Sequence, residues 1–264
     1  MRVLFWNTYK NSGINRVLSD LIIENKIDIA ILAEYEANLQ ELFESFSKYR
    51  MLMKQYITIG CERLILFGNI TSVLPGIQAP HYSIQIINSR YILCSVHLTS
   101  QIYTDNERKR NLAIERIVGD IQRLEDELNI DKTIVVGDFN INPFDGGCVD
   151  ANLFHSLPVY EDVKRKSRKI EGENYRMFYN PMWNFFGDHR KPYGTYYYNG
   201  SDVNNLFWNI YDQVIIRPSL RESFIDNELR IITETETKNL LDSKGHPDKA
   251  ISDHLPLIFE IKEK

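Results

Sequence analysis

Short runs of β-branched and aromatic residues alternate along this chain with amphipathic segments, and this alternation constrains the fold more than any other feature. Three segments, 14–22, 39–46 and 114–128, repeat apolar residues at helical spacing and predict helices that cover a sheet. Seven further runs predict strands, namely 3–6, 27–32, 64–67, 91–96, 133–136, 213–216 and 255–261. The pattern predicts an α/β fold with mixed β-sheets covered by helices.

Composition and length indicate one folded unit. Hydrophobic side chains make up 43% of the 264 residues and charged ones 25%, which is typical of a globular protein. No repeat, low-complexity tract or linker marks a boundary, and α/β folds of roughly 250 residues often form one unit. We therefore expect a single domain over residues 1–264.

The compartment follows from what the sequence lacks. No run reaches the ~18 consecutive apolar residues of a membrane span, and the first ten residues predict a strand where a signal peptide would carry its apolar segment. The 3 cysteines have no C-x-x-C spacing, which predicts neither a disulfide framework nor a zinc site. We expect a cytoplasmic protein with no membrane segment, and the sequence indicates no protein partner.

The formal net charge of −5 argues against a protein that holds nucleic acid mainly through a broad basic surface. The charge is compatible with a nuclease that carries a divalent cation. Such an enzyme needs a cluster of carboxylates, which lowers the net charge while the metal restores positive charge at the site.

Polar residues of the types used in metal-assisted hydrolysis stand at the ends of strand after strand. Because loops converge at strand ends in layered sheet folds, these residues can meet on one rim. Five follow predicted strands and three precede them: Asn7, Glu34, His97, Asp138 and Asn140, then Asp212, Asp253 and His254.

Each of these residues, taken alone, also fits a structural role. Asn7 can form a turn or cap a helix, Glu34 can lie in a solvated loop, and a single histidine is more often structural than catalytic. The repeated placement at strand ends, rather than any one residue, favours a functional site.

Six motifs, in order between residues 5 and 257, resemble those of the endonuclease/exonuclease/phosphatase superfamily, which has the deoxyribonuclease-I-like fold. GDFN and SDH are the most specific of them. The resemblance implies a four-layer α/β/β/α sandwich, in which two packed mixed β-sheets are flanked by helices. The motifs are FWNTYKN, ILAEYE, SVHLTS, GDFNINPF, YDQVII and ISDHLPL.

The same resemblance implies a hydrolase that needs Mg²⁺ or Mn²⁺ and cleaves a phosphate ester with an in-line water. Glu34 would bind the metal, helped by Asn7 and Asp253. Many members of the superfamily carry glutamine before this glutamate, whereas this chain has Ala33. The departure removes a supporting side chain and leaves the ligand itself in place.

The resemblance also implies roles for the remaining residues. His254, oriented by Asp212, would activate or position the attacking water together with Asp138. Asn140 and His97 would donate hydrogen bonds to the phosphoryl oxygens as charge builds on them. A further glutamate, at a position where some nuclease members pair it with the histidine, would support that histidine: Glu62.

The substrate is narrowed by exclusion, because the superfamily hosts many phosphate esters. The residues around the late aspartate, FWNIYDQ over 207–213, differ from those of inositol 5-phosphatases and apurinic-site endonucleases. We expect a nuclease acting on DNA, with RNA as an open alternative. The motifs also fit an enzyme that acts on a small phosphorylated molecule or a lipid headgroup, and they fit a catalytically silent binding module that kept the fold.

Two basic clusters and one aromatic segment are candidate substrate contacts. Arg108 and Arg110 in one cluster, and Lys164 and Arg165 in the other, can contact phosphates beside the cut or form solvated charged faces. The aromatic residues of 177–198 can stack bases of a single strand or form a packed strand pair.

Overall fold

The computed structural model describes residues 1–100, 106–201, 203 and 205–263. Its strands are β1 (Arg2–Asn7), β2 (Ile29–Ala33), β3 (Lys54–Gln55), β4 (Leu64–Gly68), β5 (Val73–Ala79), β6 (Tyr82–Ile87), β7 (Tyr91–His97), β8 (Thr133–Asp138), β9 (Ser156–Leu157), β10 (Ser167–Ile170), β11 (Glu173–Arg176), β12 (Phe178–Tyr179), β13 (Tyr196–Tyr197), β14 (Trp208–Asn209), β15 (Asp212–Ile216), β16 (Arg230–Ile231) and β17 (Leu257–Glu260). The α-helices are α1 (Asn15–Glu24), α2 (Leu39–Ser47), α3 (Asn106–Leu128), α4 (Gly146–Val149) and α5 (Tyr160–Val163). Short 3₁₀ helices span Pro181–Phe185, Pro218–Leu220 and Asp226–Glu228.

Two mixed sheets contain most of these strands. The first has the order β16-β17-β1-β2-β4-β3, and the second has the order β5-β6-β7-β8-β15-β12-β9. In the first sheet β1 pairs parallel with β2 and antiparallel with β17. In the second, β8 pairs parallel with β7 and antiparallel with β15. The small pairs β10–β11 and β13–β14 stand apart from both sheets.

Successive side chains of a strand point to opposite faces of the sheet, and this alternation produces the layers. On β15, Val214 and Ile216 join a core that also contains the first sheet and helices α1 and α2, whereas Ile215 packs with α3 on the other side. On β8, Val135 likewise faces α3 and its neighbours in sequence face the first sheet. Alternate side chains of one strand therefore enter two different cores, which gives four layers in the order helix, sheet, sheet, helix.

The predicted strands and helices are all present, with shifted ends. Helix α3 begins well before residue 114. The sequence pattern missed its first turns because they are polar and carry no apolar repeat. Strands β5 and β6 were not predicted from the sequence pattern. The pairing of β5 is interrupted between Pro75 and Gln78, and β6 buries Ser83 and Gln85, whose polar side chains hide its periodicity. Within the described part of the chain, no helix has both the length and the apolar character needed to cross a membrane.

Candidate active site

The pairing register of three adjacent strands sets polar side chains in one row. Asp138, the last residue of β8, pairs with His97 at the end of β7 and with Asp212 at the start of β15. Side chains of directly paired residues point to the same face of a sheet. The end of β8 therefore carries two aspartates and a histidine side by side, as the sequence predicted from strand ends.

The first sheet brings Asn7 and Glu34 to the same place. Asn7 ends β1, and its Nδ2 atom donates a hydrogen bond of 3.1 Å to Oδ2 of Asp138, which joins the two sheets. Glu34 follows β2 with a φ of 51°, a left-handed conformation that costs a residue with a Cβ about 1 kcal/mol. The turn is held by Thr8 Oγ1 and Lys10 N, which both donate to the carbonyl oxygen of Glu34 at 2.9 Å.

Ser252 holds the segment that carries Asp253 and His254. Its hydroxyl donates to the carbonyl oxygen of Asn7 at 2.7 Å and accepts from the backbone N–H of His254 at 3.1 Å. The indole N–H of Trp6 donates to the carbonyl oxygen of His254 at 2.9 Å. The end of β1 thus fixes where this segment lies, although some 245 residues separate them in the chain.

His254 and Asp212 form a buried pair. The Nδ1 atom of His254 lies 2.8 Å from Oδ2 of Asp212, whose side chain is fully buried. Burial alone would lower the pKa of His254, but the charge of Asp212 and the hydrogen bond to it outweigh burial and raise that pKa. His254 is therefore protonated at neutral pH, with Nε2 4.0 Å from Oδ1 of Asp253.

Asp138 is held in the site by amide donors. Besides the bond from Asn7, its Oδ1 atom accepts the backbone N–H of Asn140 at 2.9 Å. Burial raises the pKa of Asp138; the positive charge of His254 opposes this shift and the negative charge of Asp212 adds to it. Asn140 adopts a left-handed conformation, which asparagine tolerates, and donates from Nδ2 to the carbonyl oxygen of Leu98 at 2.9 Å.

His97 is neutral although two carboxylates are near. Its Nε2 atom lies 3.7 Å from Oε1 of Glu34 and 3.8 Å from Oδ2 of Asp138. Burial, together with the positive charges of Arg63 and His254, lowers the pKa of His97 to about 3. The carboxylates beside His97 are therefore those of Glu34 and Asp138, and the predicted neighbour was Glu62.

Glu62 was expected beside this histidine. It is exposed, and among the described residues the carboxylates within 4.0 Å of His97 are those of Glu34 and Asp138. The structure therefore does not bring Glu62 into the pairing that the resemblance implies.

The site contains oxygen atoms suited to a hard cation. Asp138, Asp212 and His254 form a buried cluster whose potential ligand atoms lie within 4.8 Å of one another. Two buried oxygens, Oδ1 of Asp212 and Oδ1 of Asp253, have no hydrogen-bond partner among the described residues. Burial raises the pKa of Asp253, and the charge of Glu34 adds to it while His254 opposes it. Buried carboxylate oxygens that lack a hydrogen-bond partner, such as these two, fit Mg²⁺ or Mn²⁺.

Of the two predicted substrate contacts on α3, one is exposed and the other is buried. Arg108 lies exposed in the first turn of α3. Arg110 is only 4% exposed and donates to the carbonyl oxygen of Thr99 at 3.3 Å, so it does not belong to a solvated face.

Lys164 and Arg165 lie elsewhere. Lys164 pairs with Glu161, and the next residue but one, Lys166, pairs with Asp131 at 2.8 Å, just before β8 begins. The second basic cluster is therefore at the end of β8 opposite to Asp138. The structure does not bring Lys164 and Arg165 to the site, because α5 packs at the far edge of the sheet.

Some residues that support the row were not predicted from the sequence. Thr195 is fully buried, and its Oγ1 atom accepts the backbone N–H of Asp212 at 3.1 Å. Tyr196 packs its ring 4.8 Å from that of His254 and stacks on Tyr211 at 5.3 Å. Tyr196 belongs to the aromatic segment that the sequence singled out, and it lies in a packed strand pair; its contact with His254 could not be predicted, because the two residues are distant in the chain.

No family model and no curated protein matches this sequence. Solved structures match over the full or nearly full chain. An AP endonuclease from Archaeoglobus fulgidus has a TM-score of 0.60 at 12% identity, with 100% of both chains covered. A 3′ phosphatase from Neisseria, bound to product DNA hairpin, has a TM-score of 0.56 at 16% identity, also with 100% of both chains covered.

The catalytic domain of human nocturnin, with bound sulfate anion, has a TM-score of 0.56 at 14% identity, covering 98% of this chain and 93% of that one. These identities show the fold alone. The chain shares with these structures a four-layer α/β/β/α sandwich, with two mixed sheets between helices. The predicted fold class, a four-layer α/β/β/α sandwich, is confirmed.

Proposed function

We propose that this protein is a divalent-metal-dependent phosphodiesterase of the cytoplasm that hydrolyses nucleic acid. DNA is the preferred substrate in this proposal, and RNA is the alternative. One observation carries the proposal: both sheets of this fold deliver their strand-end carboxylates and histidines to a single rim. Structurally similar proteins include an endonuclease and a 3′ phosphatase bound to DNA. All the predicted core residues are chemically competent, which favours an enzyme over a silent binding module.

Glu34, Asp253 and Asn7 would hold the metal ion. The first two are carboxylates, the negative charge of Glu34 helps to raise the pKa of Asp253, and Oδ1 of Asp253 lacks a partner among the described residues. When bound, Mg²⁺ or Mn²⁺ would polarise the phosphate and stabilise the leaving oxygen. His254 is less suited to ligate, because a protonated imidazole paired with Asp212 has no free lone pair.

Asp138 and His254 would divide the proton chemistry. Asp138 would accept the proton of the attacking water, since burial raises its pKa towards the range useful to a general base. His254, kept protonated and oriented by Asp212, would donate from Nε2 to a phosphoryl oxygen. Asn140 and the neutral His97 would add donors where negative charge develops.

Exposed aromatic rings beside the site support a nucleic acid as substrate. Tyr9 follows the Asn7 turn and is 47% exposed; Tyr198 and Phe207, near the Tyr196 that packs on His254, are 43% and 48% exposed. Aromatic faces stack on unpaired bases with little sequence preference. Arg108 supplies an exposed cation for a flanking phosphate.

A second candidate is a phosphatase or phosphodiesterase acting on a small phosphorylated molecule or a lipid headgroup. The position of Lys164 and Arg165, away from the site, favours it, because fewer cations than predicted would contact a long polyanion. Salt dependence separates the two. A polymer-binding nuclease should lose affinity steeply as salt rises, whereas a small-substrate enzyme should not.

The test is cleavage of supercoiled plasmid, end-labelled single-stranded DNA, RNA and bis-p-nitrophenyl phosphate with Mg²⁺ or Mn²⁺. EDTA and Asp138→Ala serve as inactivating controls, and Asp131→Ala at the opposite end of β8 serves as the matched control. Polymer cleavage that both inactivating controls abolish supports the nuclease. Turnover of the small ester alone moves the substrate to the second candidate. Metal-dependent turnover that survives Asp138→Ala overturns the mechanism.

A further inference from the structure

Three aromatic rings outside the row of catalytic candidates pack into one unit, here called the ring clamp: Tyr197, Trp208 and His246. The rings of Tyr197 and His246 stack face to face, with centroids 3.6 Å apart and planes within 7°. The ring of Trp208 stands edge-on to both, at 5.3 Å from Tyr197 and 6.0 Å from His246. Edge-to-face and stacked contacts of this kind add to the stability that burial itself provides.

The clamp joins two segments that each run directly into the site. Tyr197 and Trp208 belong to the β13–β14 pair, which continues from Trp208 to Asp212. His246 belongs to a loop that continues to His254, and Ser252 N donates to the carbonyl oxygen of Asp248 within it at 2.9 Å. The hydrogen bond between Asp212 and His254 therefore closes one end of a unit whose other end is closed by the clamp.

His246 is held in its stacking position by Asp242. Oδ1 of Asp242 accepts the backbone N–H of His246 at 2.9 Å, and Asp242 N donates to the carbonyl oxygen of His246 at 2.7 Å. The Nδ1 atom of His246 lies 3.9 Å from Oδ2 of Asp242. These contacts with Asp242 fix the backbone of the loop at His246, whose ring stacks on that of Tyr197.

We infer that the ring clamp positions the Asp212–His254 pair, with His246 as a positioning residue for the reaction. The inference rests on the proposed function. None of the three rings belongs to the row of catalytic candidates, so the clamp would act through the segments it joins. Small displacements of a catalytic pair reduce the rate of the chemical step more than they reduce substrate binding.

The experiment compares kcat and KM for His246→Ala, His246→Phe and the matched control Lys244→Ala, an exposed residue of the same loop. We expect His246→Ala to lower kcat about tenfold with KM nearly unchanged. His246→Phe keeps a flat ring against Tyr197 and should recover most of kcat. Lys244→Ala should match the wild type. A kcat within about twofold of wild type in folded His246→Ala, or no recovery in His246→Phe, would overturn the inference.

Hydrogen–deuterium exchange gives a readout that does not depend on activity. Loosening the clamp should speed exchange in peptides 207–213 and 249–256 of His246→Ala and leave both unchanged in His246→Phe and Lys244→Ala. If the wild type turns over no phosphate ester, the proposed function fails and exchange alone judges the clamp. Faster exchange at both peptides then supports it, and unchanged exchange overturns it.

Discussion

Strands β8 and β15 carry buried charges at both ends, and the two ends differ in how those charges are paired. At the end away from the site, Arg217 donates to both carboxylate oxygens of Glu125, at 2.8 and 3.1 Å. Thr133 and Arg176 also donate to Glu125, and the Arg217 guanidinium lies 3.8 Å from the centroid of the Phe178 ring. Charge and hydrogen-bonding capacity are satisfied there within the chain.

At the site end the same strands present Asp138 and Asp212 against one imidazolium, His254. The acids outnumber the cation, and Oδ1 of Asp212 is buried without a partner in the described part of the chain. An unpaired buried oxygen costs about 1–3 kcal/mol. The two ends therefore differ in kind: one pairs its buried charges within the chain, and the other leaves a buried carboxylate oxygen unpaired, as the proposed metal-dependent function requires.

The largest expected effect separates rate from stability. Asp138→Ala should lower kcat/KM by about 10³-fold or more, because it removes the proposed base from the row. Its free energy of unfolding without metal should change little, because removal of a buried carboxylate next to Asp212 offsets the loss of the hydrogen bonds from Asn7 and Asn140. Steady-state kinetics and urea denaturation measure the two quantities. A large loss of stability would show that Asp138 serves the fold as Glu125 does.

Removing charge at the opposite end should do the reverse. Glu125→Ala leaves Arg217 buried and unpaired, which should cost about 3–5 kcal/mol of the free energy of unfolding. Activity per folded molecule should stay at the wild-type level. The matched control is Asp126→Ala, an exposed neighbour that also pairs with Arg176 and should cost under about 1 kcal/mol. Equal losses in the two variants would contradict the contrast between the ends.

Metal should compensate the negative charge of the site. At a concentration about 100 times its Kd, Mg²⁺ should raise the free energy of unfolding by about 2.7 kcal/mol. Glu34→Gln should lose most of this gain, whereas the exposed Glu36→Gln should keep it. Thermal unfolding with Mg²⁺ and with EDTA measures the shift. A wild type equally stable in both conditions would speak against a metal held by Glu34.

The smallest expected effect concerns acid. His97 has an ordinary pKa of 6.5, which folding lowers to about 3. Between pH 6.5 and 3, His97 binds a proton in the unfolded chain but not in the folded protein. The free energy of unfolding therefore falls as the pH drops from 6.5 towards 3. His97→Gln should recover about 2 kcal/mol of the free energy of unfolding at about pH 5 in metal-free protein. The exposed His189→Gln is the control, and equal acid sensitivity of wild type and His97→Gln would refute the prediction.

The row of polar side chains at the strand ends could be predicted from the sequence, because strand periodicity and strand-end residues are local signals. Asn7, Glu34, His97, Asp138 and Asp212 could all be placed from the runs that precede or follow them. The pairing of Glu125 with Arg217 could not be predicted, since 92 residues separate them and nothing near either marks the other. The same holds for contacts that depend on how loops fold back.

Arg110 and Lys164 show the limit for charged residues. Both lie in basic runs, and sequence alone does not tell whether such a run faces water, the core or a distant edge. Arg110 is buried against the carbonyl oxygen of Thr99, and Lys164 lies with α5 at the other end of the second sheet. Their positions depend on tertiary packing, which periodicity does not encode.

The register that pairs His97 with Asp138 and Asp138 with Asp212 bears on how such chains diverge in evolution. Because backbone pairing sets the row, connections between the strands can lengthen, shorten or change composition without moving it. An insertion inside one of these strands would instead turn the row away from the rim. Drift is therefore tolerated in the connections and resisted in the strands, which agrees with a shared fold at only 12% identity over the full chain.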